Sequence, residues 1–475
     1  MTLRPPKLLP LTAAIGVLLL AGCATVDVNQ SIARANSDAS TFTKGGLSLA
    51  QSDEQRRSMR DAAQALLSNP LSQEDAVRLA LVNSPSMQAL LAQNWADAAD
   101  AAQSGRINNP ILTLERLRSP IEIEVSRMLA FGLLDLLTLP QRQRVAQGRV
   151  EQTQLRLTAN VVENVTRVRQ AWVNAVASAQ SLQYAKQVND SAEASAELAR
   201  RMLAVGNFSK LQRARQQAFY ADAVVLWANA SQTATAHREA LIRLLGLTDA
   251  QAARLHLPAR LPELPDAPRT PAEVAAAASA RLDVKMAQGA LDAIATAQGI
   301  NLIGSFTDIE LSVVRNSKTD RIDGAKNDLR GIAVAVKLPI FDWGDLKRDG
   351  ARAQALAAAN RLEATVRAAG SLLRETYSAY RTTYDTAKHY RDEIVPLRKL
   401  IADENVLRYN GMLIGVFELL ADSRDQIASV SAAINAQQQF WLADAALQAT
   451  IVGKPMMMQA TSGSPMMSGG GDATH

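Results

Sequence analysis

The hydrophobic and polar positions of this chain follow two periods, one of about three and a half residues and one of two. Between Gln141 and Gly246 there is no proline, and before that end glycine occurs only at 148 and 206. Val161, Val165, Val168, Trp172, Ala175, Ala179 and Leu182 step by alternating fours and threes. That is an a/d stripe, the seam of a helix packed against near-parallel neighbours. A continuous helix from Gln141 to Val205 would be about 100 Å long at 1.5 Å per residue, so the pattern predicts an element that spans a distance. Arg200, Arg201 and Met202 followed by Gly206-Asn207-Phe208-Ser209 read as a helix C-terminus with glycine just past it. The pattern resumes from Lys210 to Leu245, and the two segments are expected to fold back as an antiparallel helical hairpin.

The landmarks recur. Ser72, with Glu74 and Asp75 behind it, predicts a helix start, and that helix is expected to run to about Ser104. Thr270-Pro271-Ala272-Glu273 predicts another, with Thr270 as N-cap, Pro271 at the first helical position and Glu273 completing a capping box. These two starts lie 198 positions apart, the dipeptides Leu139-Pro140 and Leu338-Pro339 lie 199 apart, and the turns at Gly206 and Gly411 lie 205 apart. One spacing for three landmarks predicts two copies of a unit, 71–256 and 270–452, joined by a proline-rich linker at 257–269. A polar, partly helical segment, 23–70, precedes them.

The period of two appears midway through each copy. Ile121-Glu122-Ile123-Glu124-Val125-Ser126 alternates, after Ile111-Leu112-Thr113-Leu114 and a break at Ser119-Pro120. Phe306 to Val313 alternates too, with Ile309, Leu311 and Val313 on one face. A polar stretch from Asn316 to Asp328 follows, then Ile332, Val334, Val336 and Leu338 on one face. Each copy is thus expected to carry a β-hairpin, at about 107–138 and 300–340, giving four strands per chain. Four strands cannot close a barrel, and open strand edges are not tolerated in lipid. Three chains would supply about twelve strands, enough to close one. An ordinary soluble sheet is the other reading, but no further strands lie nearby to complete it.

Composition adds an address. Arg4 and Lys7 precede an apolar run from Leu8 to Leu20, too short for a spanning helix. The run ends in Leu20-Ala21-Gly22-Cys23, which resembles the lipobox of bacterial lipoproteins. The resemblance implies a signal peptide at 1–22 and lipid on Cys23, with Ala24 favouring the outer membrane. Acyl chains at about 0.8 kcal/mol per buried methylene make a durable anchor. Cys23 is the single cysteine, so the chain has no disulfide and no other thiol. The formal net charge is +5, but lysine and arginine are interspersed with acids, which gives nucleic-acid binding no support. The histidines (His237, His256, His389, His475) are scattered, and there is no phosphate-binding glycine loop or zinc-type spacing, so no catalytic residues and no cofactor are expected. Residues 453–475 form a low-complexity tail, expected to be disordered. Its Met456, Met457, Met458, Met466 and Met467, with His475, are candidate soft ligands for Cu(I) or Ag(I). A functionless loose end is the plainer reading of the same residues.

Four segments carry a wider resemblance. They are Leu71-Ser72-Gln73-Glu74-Asp75-Ala76-Val77-Arg78-Leu79-Ala80-Leu81 with Asn83-Ser84-Pro85, Leu338-Pro339-Ile340-Phe341-Asp342-Trp343-Gly344, Glu393-Ile394-Val395-Pro396, and the run from Arg408 to Leu420. In their order and spacing the chain, from about Leu71 to Val452, resembles the TolC family of outer-membrane efflux proteins. The resemblance implies a fold that is mainly α with a small β part. Long helices would form a coiled-coil barrel across the periplasm, and a transmembrane β-barrel would close as a 12-stranded homotrimer. It also implies a function without chemistry: the exit channel of a tripartite efflux system, served by an inner-membrane pump through a periplasmic adaptor. The turns carrying Gly206, Asn207 and Ser209, and Tyr409, Gly411 and Met412, would be the periplasmic tips that dock the adaptor. The family usually has glycine where Met412 stands; here Gly411 comes one place earlier. The family's acidic entrance position falls on Glu418, with Asp422 one turn on; a solvated glutamate on a helix face is the plainer reading. Two rivals remain: a periplasmic adaptor, which would carry one hairpin between soluble β-domains, and a structural coiled-coil lipoprotein without a pore.

Overall fold

The computed structural model describes residues 26–455, apart from 307–308, 339 and 342. The expected signal peptide, Cys23 and the methionine-rich segment from Met456 lie outside the described residues. The chain begins with α1 (Val28–Asp38), α2 (Ser40–Thr43) and α3 (Asp53–Leu66), and continues with α4 (Gln73–Asn83) and α5 (Pro85–Gln103). Then come β1 (Ile111–Arg118), β2 (Glu122–Gly132), α6 (Leu133–Leu137), α7 (Leu139–Ala204), α8 (Lys210–Leu245) and α9 (Asp249–Ala252). The second half holds α10 (Pro271–Ala277), α11 (Leu282–Phe306), β3 (Ile309–Asp320) and β4 (Lys326–Val336). It ends with α12 (Asp345–His389), a π-helical turn (Tyr390–Ile394), α13 (Val395–Asn410) and α14 (Val416–Val452).

The α7 helix has 66 residues without a break, as its a/d stripe predicts. Pro140 falls in its first turn, where a missing N–H leaves no bond unmade. The single helix expected from Ser72 to Ser104 is instead two. Ser84 is extended (ψ 118°) because the Pro85 ring disfavours helical backbone in the residue before it. The expected helix starts are present: Ser72 Oγ accepts from Asp75 N at 3.1 Å, and Thr270 Oγ1 from Glu273 N at 3.3 Å. Before Pro396 the helix widens into the π-helical turn, in which Val395 N donates to Tyr390 O. The alternation expected to begin at Phe306 starts later, since α11 runs through Phe306 and β3 begins at Ile309. The polar stretch Asn316 to Asp328, expected between strands, is mostly strand; its turn is confined to 321–325.

The four strands form one antiparallel sheet in the order β1-β2-β3-β4. The two hairpins are joined through β2 and β3, paired from Glu122↔Asp320 to Gly132↔Glu310.

The chain divides into two compact units. One holds Leu90–Thr158, Asp283–Arg367 and the N-terminal stretch as far as Ala35; the other holds Asn36–Ala89, Ala159–Leu282 and the stretch from Ala368. Each of the segments 71–256 and 270–452 contributes to both. In the first unit Asp135 of α6 links α7 to the segment entering β1, accepting from Arg142 Nη1 and Asn108 Nδ2, both at 2.7 Å. In the second, Trp172 is buried on α7 and its Nε1 donates to Leu71 O at 2.8 Å. A second core packs Tyr380 and Tyr384 of α12 against Phe440 and Leu447 of α14, with Leu264 and Val274. The proline-rich linker is strapped onto this core. Tyr384 Oη donates to Pro265 O at 3.0 Å, Tyr377 Oη to Arg269 O at 3.1 Å, and Trp441 Nε1 to Pro262 O at 3.0 Å.

Candidate functional site

The two faces of the sheet differ in the charge they carry and in how their apolar residues are grouped. Register places Leu112 and Leu114 of β1 beside Leu129 and Phe131 of β2, Ile309, Leu311 and Val313 of β3, and Ile332, Val334 and Val336 of β4. Successive side chains of a strand alternate between faces, so these share one surface. It is solvent-facing in the single chain, with Ile332 74% and Val334 59% exposed. Leu338, Ile340, Phe341 and Trp343 extend the exposed apolar run beyond β4. The other face is mixed: it carries most of the acids and the small residues, and also Ile111, Leu117, Met128, Val314 and Leu329. Ala130, Ser312, Gly331, Ala333 and Ala335 lie on it, with Glu115, Glu122, Glu124, Glu310, Asp320 and Lys318. Ser126 Oγ donates to Asn316 Oδ1 at 2.8 Å, and Lys318 Nζ lies 3.3 Å from Glu124 and 3.6 Å from Glu122. The outer strands β1 and β4 are exposed along their whole length, and each pairs on one side only. A sheet with two free edges, one face whose apolar residues fall in successive rows and one face that carries most of the acids is unfinished as a single chain.

The two hairpin tips are built alike but unequally stabilised. At the first, Gly206 adopts φ +81°, Gly206 N donates to Leu203 O at 3.1 Å and Asn207 N to Met202 O at 2.9 Å. At the second, Met412 N donates to Tyr409 O at 2.9 Å and Leu413 N to Arg408 O at 2.8 Å. This is the Schellman pattern in both, with the left-handed residue at Gly206 and at Met412. Gly411, expected as the turn glycine, has an ordinary φ of −81°; Met412 takes +58° and is 93% exposed. The displaced glycine thus leaves a side chain in the conformation that L-residues avoid.

The following helix differs too. Ser209 caps α8, accepting from Gln212 N at 3.2 Å while its own N–H donates to Gln212 Oε1 at 2.6 Å. Gly415 precedes α14 with no side-chain cap. The second tip therefore lacks two local stabilisers that the first has. Asn207, Ser209 and Tyr409 are exposed. Near the first tip Arg200 and Arg201 hold the Glu197 carboxyl down at about 2. Asp422 on α14 is half-buried and accepts from Asn405 Nδ2 of α13, so it braces the hairpin. The side chain of Glu418 lies outside what the structure describes, as do Cys23 and the methionines and His475 of the tail. Among the described residues no group of three or more His, Cys, Asp or Glu is placed to hold a metal ion. Among them, too, no helix is long and apolar enough to cross a membrane.

The chain has the fold of the TolC-family outer-membrane channels, which solved structures show at low sequence identity. They include a membrane protein from Pseudomonas aeruginosa, 20% identical, covering 84% of this chain and 94% of that one with a TM-score of 0.65. The CmeC outer membrane channel of Campylobacter jejuni is 14% identical, covering 84% and 86%, with a TM-score of 0.65. The open-state MtrE outer membrane channel of Neisseria gonorrhoeae is 18% identical, covering 80% and 89%, at 0.64. No protein-family model and no curated protein matches the chain.

The alternation predicts the split on β3, with Glu310 and Ser312 on the face opposite Ile309, Leu311 and Val313, but not the arginine-bearing part of the apolar face. Its signal was there, in the arginines at 116 and 118 and at 315, which keep the parity of the apolar residues in their strands.

Proposed function

We propose that this chain is the outer-membrane channel of a tripartite efflux system, carrying substrates from an inner-membrane pump and a periplasmic adaptor across the periplasm and outer membrane. The observation that carries this is the unfinished sheet. Its apolar face suits lipid, the face that carries most of the acids suits a water-filled lumen, and its free edges β1 and β4 suit pairing with further copies. Three copies make twelve strands and remove every edge. Two similar helical hairpins in one chain favour this over an adaptor with a single hairpin. In this reading the segments 71–256 and 270–452 are copies of one unit, and lipid on Cys23 anchors the assembly. Gly206, Asn207, Ser209, Tyr409, Gly411 and Met412 meet the adaptor, and Glu418 with Asp422 ring the entrance. The channel performs no catalysis and needs no cofactor. The tail methionines and His475 suit Cu(I) or Ag(I) as cargo.

The test is expression in a strain deleted for the gene, with full-length protein or protein ending at Gly453. A heat-modifiable trimer in the outer-membrane fraction is expected, together with restored resistance. Protein that stays monomeric and outside that fraction refutes the reading. Resistance to copper or silver that is lost on truncation identifies the cargo as a metal ion; drug resistance restored equally by both forms assigns the tail no part in transport.

A further inference from the structure

The apolar face of the sheet changes character part-way along its strands. One row after Leu129, Val313 and Ile332, register sets Arg127 opposite Arg315 and Arg315 opposite Arg330. All three are exposed. Arg116, Arg118 and Lys326 follow on the same face, towards the turns. Among the described residues Asp328 is the one carboxylate on this face, and it pairs with Arg315 at 2.7 Å.

Like charges directly opposite each other, about 5 Å apart between Cβ atoms, destabilise a sheet. One carboxylate does not balance six cations. The row therefore calls for anions from outside the chain, and guanidinium forks match phosphate oxygens in geometry and charge. The apolar rows beside it call for hydrocarbon. A ligand that satisfies both has an anionic phosphate head and acyl tails lying along the strands.

We propose that this arginine row binds the phosphorylated headgroup of an outer-leaflet glycolipid of the lipid A class, whose acyl chains cover the apolar rows. The inference rests on the channel reading, which puts the turns at the outward end of the sheet and the arginines at the level of the outer headgroups.

The test uses full-length protein purified from outer membranes, with co-purifying glycolipid counted by native mass spectrometry. The triple variant Arg127→Gln/Arg315→Gln/Arg330→Gln is compared with Lys318→Gln, which removes a cation from the opposite face. The triple variant is expected to retain about tenfold less glycolipid or lower still, the factor that one lost charge-assisted contact is worth, and Lys318→Gln to match wild type. Equal retention in the triple variant and wild type overturns the proposal, as does equal loss in Lys318→Gln. Should the triple variant fail to assemble, wild-type protein in nanodiscs decides the matter. Retention of bis-phosphorylated, monophosphorylated and phosphate-free glycolipid is expected to fall in that order, and indifference to phosphate overturns the inference. Wild-type protein absent from the outer membrane refutes the channel reading itself, whereas membrane-borne trimers indifferent to phosphate refute only this one.

Discussion

Gly246 ends α8 in the left-handed conformation, with φ +66°. Its surroundings make it a sharp test of how the helical unit is held together. A Cβ built there would lie 2.4 Å from Pro85 Cδ and 2.8 Å from Ser84 Cα. Neither obstacle is the far end of a flexible side chain, because one belongs to a rigid ring and the other to backbone. Asn83 O lies 3.3 Å from the same Cβ, and Asn83 Nδ2 donates to Leu245 O at 3.1 Å and Gly246 O at 3.0 Å, so the new methyl also crowds the residue that caps the helix. Gly246→Ala combines a left-handed alanine, about 1–2 kcal/mol, with overpacking of about 1–3 kcal/mol. Gly206→Ala is the matched control. It has the same sign of φ, but nothing lies within 4 Å of the added Cβ, so only the conformational part applies. The assay is thermal unfolding of the two purified variants, followed by far-ultraviolet circular dichroism. Gly246→Ala is expected to lower the midpoint at least twice as far as Gly206→Ala. Adding Pro85→Ala should return part of that difference, because the nearest contact disappears. Equal losses in the two single variants would refute the packing argument, and an unaffected Gly246→Ala would refute both parts.

Three further outcomes follow from named contacts. Met412→Gly is expected to raise stability by about 1 kcal/mol by freeing the left-handed position of the second tip, read as a higher unfolding midpoint; a lower midpoint contradicts it. Ser209→Ala removes the cap of α8 and should cost about 1 kcal/mol, with faster hydrogen exchange at Lys210 to Gln212 as the local readout. Burial raises the Asp444 carboxyl above its ordinary value of 3.8, against the opposing pull of Arg269, the Gln448 hydrogen bond and Arg169. The folded state thus holds its proton to higher pH than the unfolded chain. The stability this confers is complete below the ordinary value and is lost as pH rises through the raised one. Asp444→Asn, which cannot ionise, should therefore gain on wild type in unfolding midpoint as pH climbs above that ordinary value; a constant gap contradicts this.

The helical hairpins were legible in the sequence because their signals are local. A capping serine or threonine, a turn glycine and a heptad stripe act within a few residues, and α8 begins and ends where Ser209 and Gly246 put it. The break at Ser84 was missed although its cause, Pro85, is equally local. The apolar pattern continues across it and outweighed the proline. The strand ends were misjudged for another reason. Asn316 to Asp320 and Lys326 to Asp328 are polar, and polarity reads as loop unless the partner strand is known. Pairing between β2 and β3 joins residues almost two hundred positions apart, which no local signal announces. At the second tip the glycine at 411 attracted the turn, yet the hydrogen-bond pattern fixes the left-handed residue by its place after the helix, and that place is Met412.

The π-helical turn at Tyr390–Ile394 gives the two hairpins different mechanics. The strut of the first hairpin, α7, is one uninterrupted rod. Its counterpart in the second is jointed, with a 16-residue arm, α13, between the joint and the tip. Sixteen residues make a lever of about 24 Å, so a rotation of ~10° at the joint sweeps the tip through about 4 Å. Hydrogen bonds of the π type have already forgone the tight register that resists bending. Compliance is therefore concentrated in one arm, and a force applied at the ends of both hairpins does most of its work by swinging the second while the first stands as the fixed post.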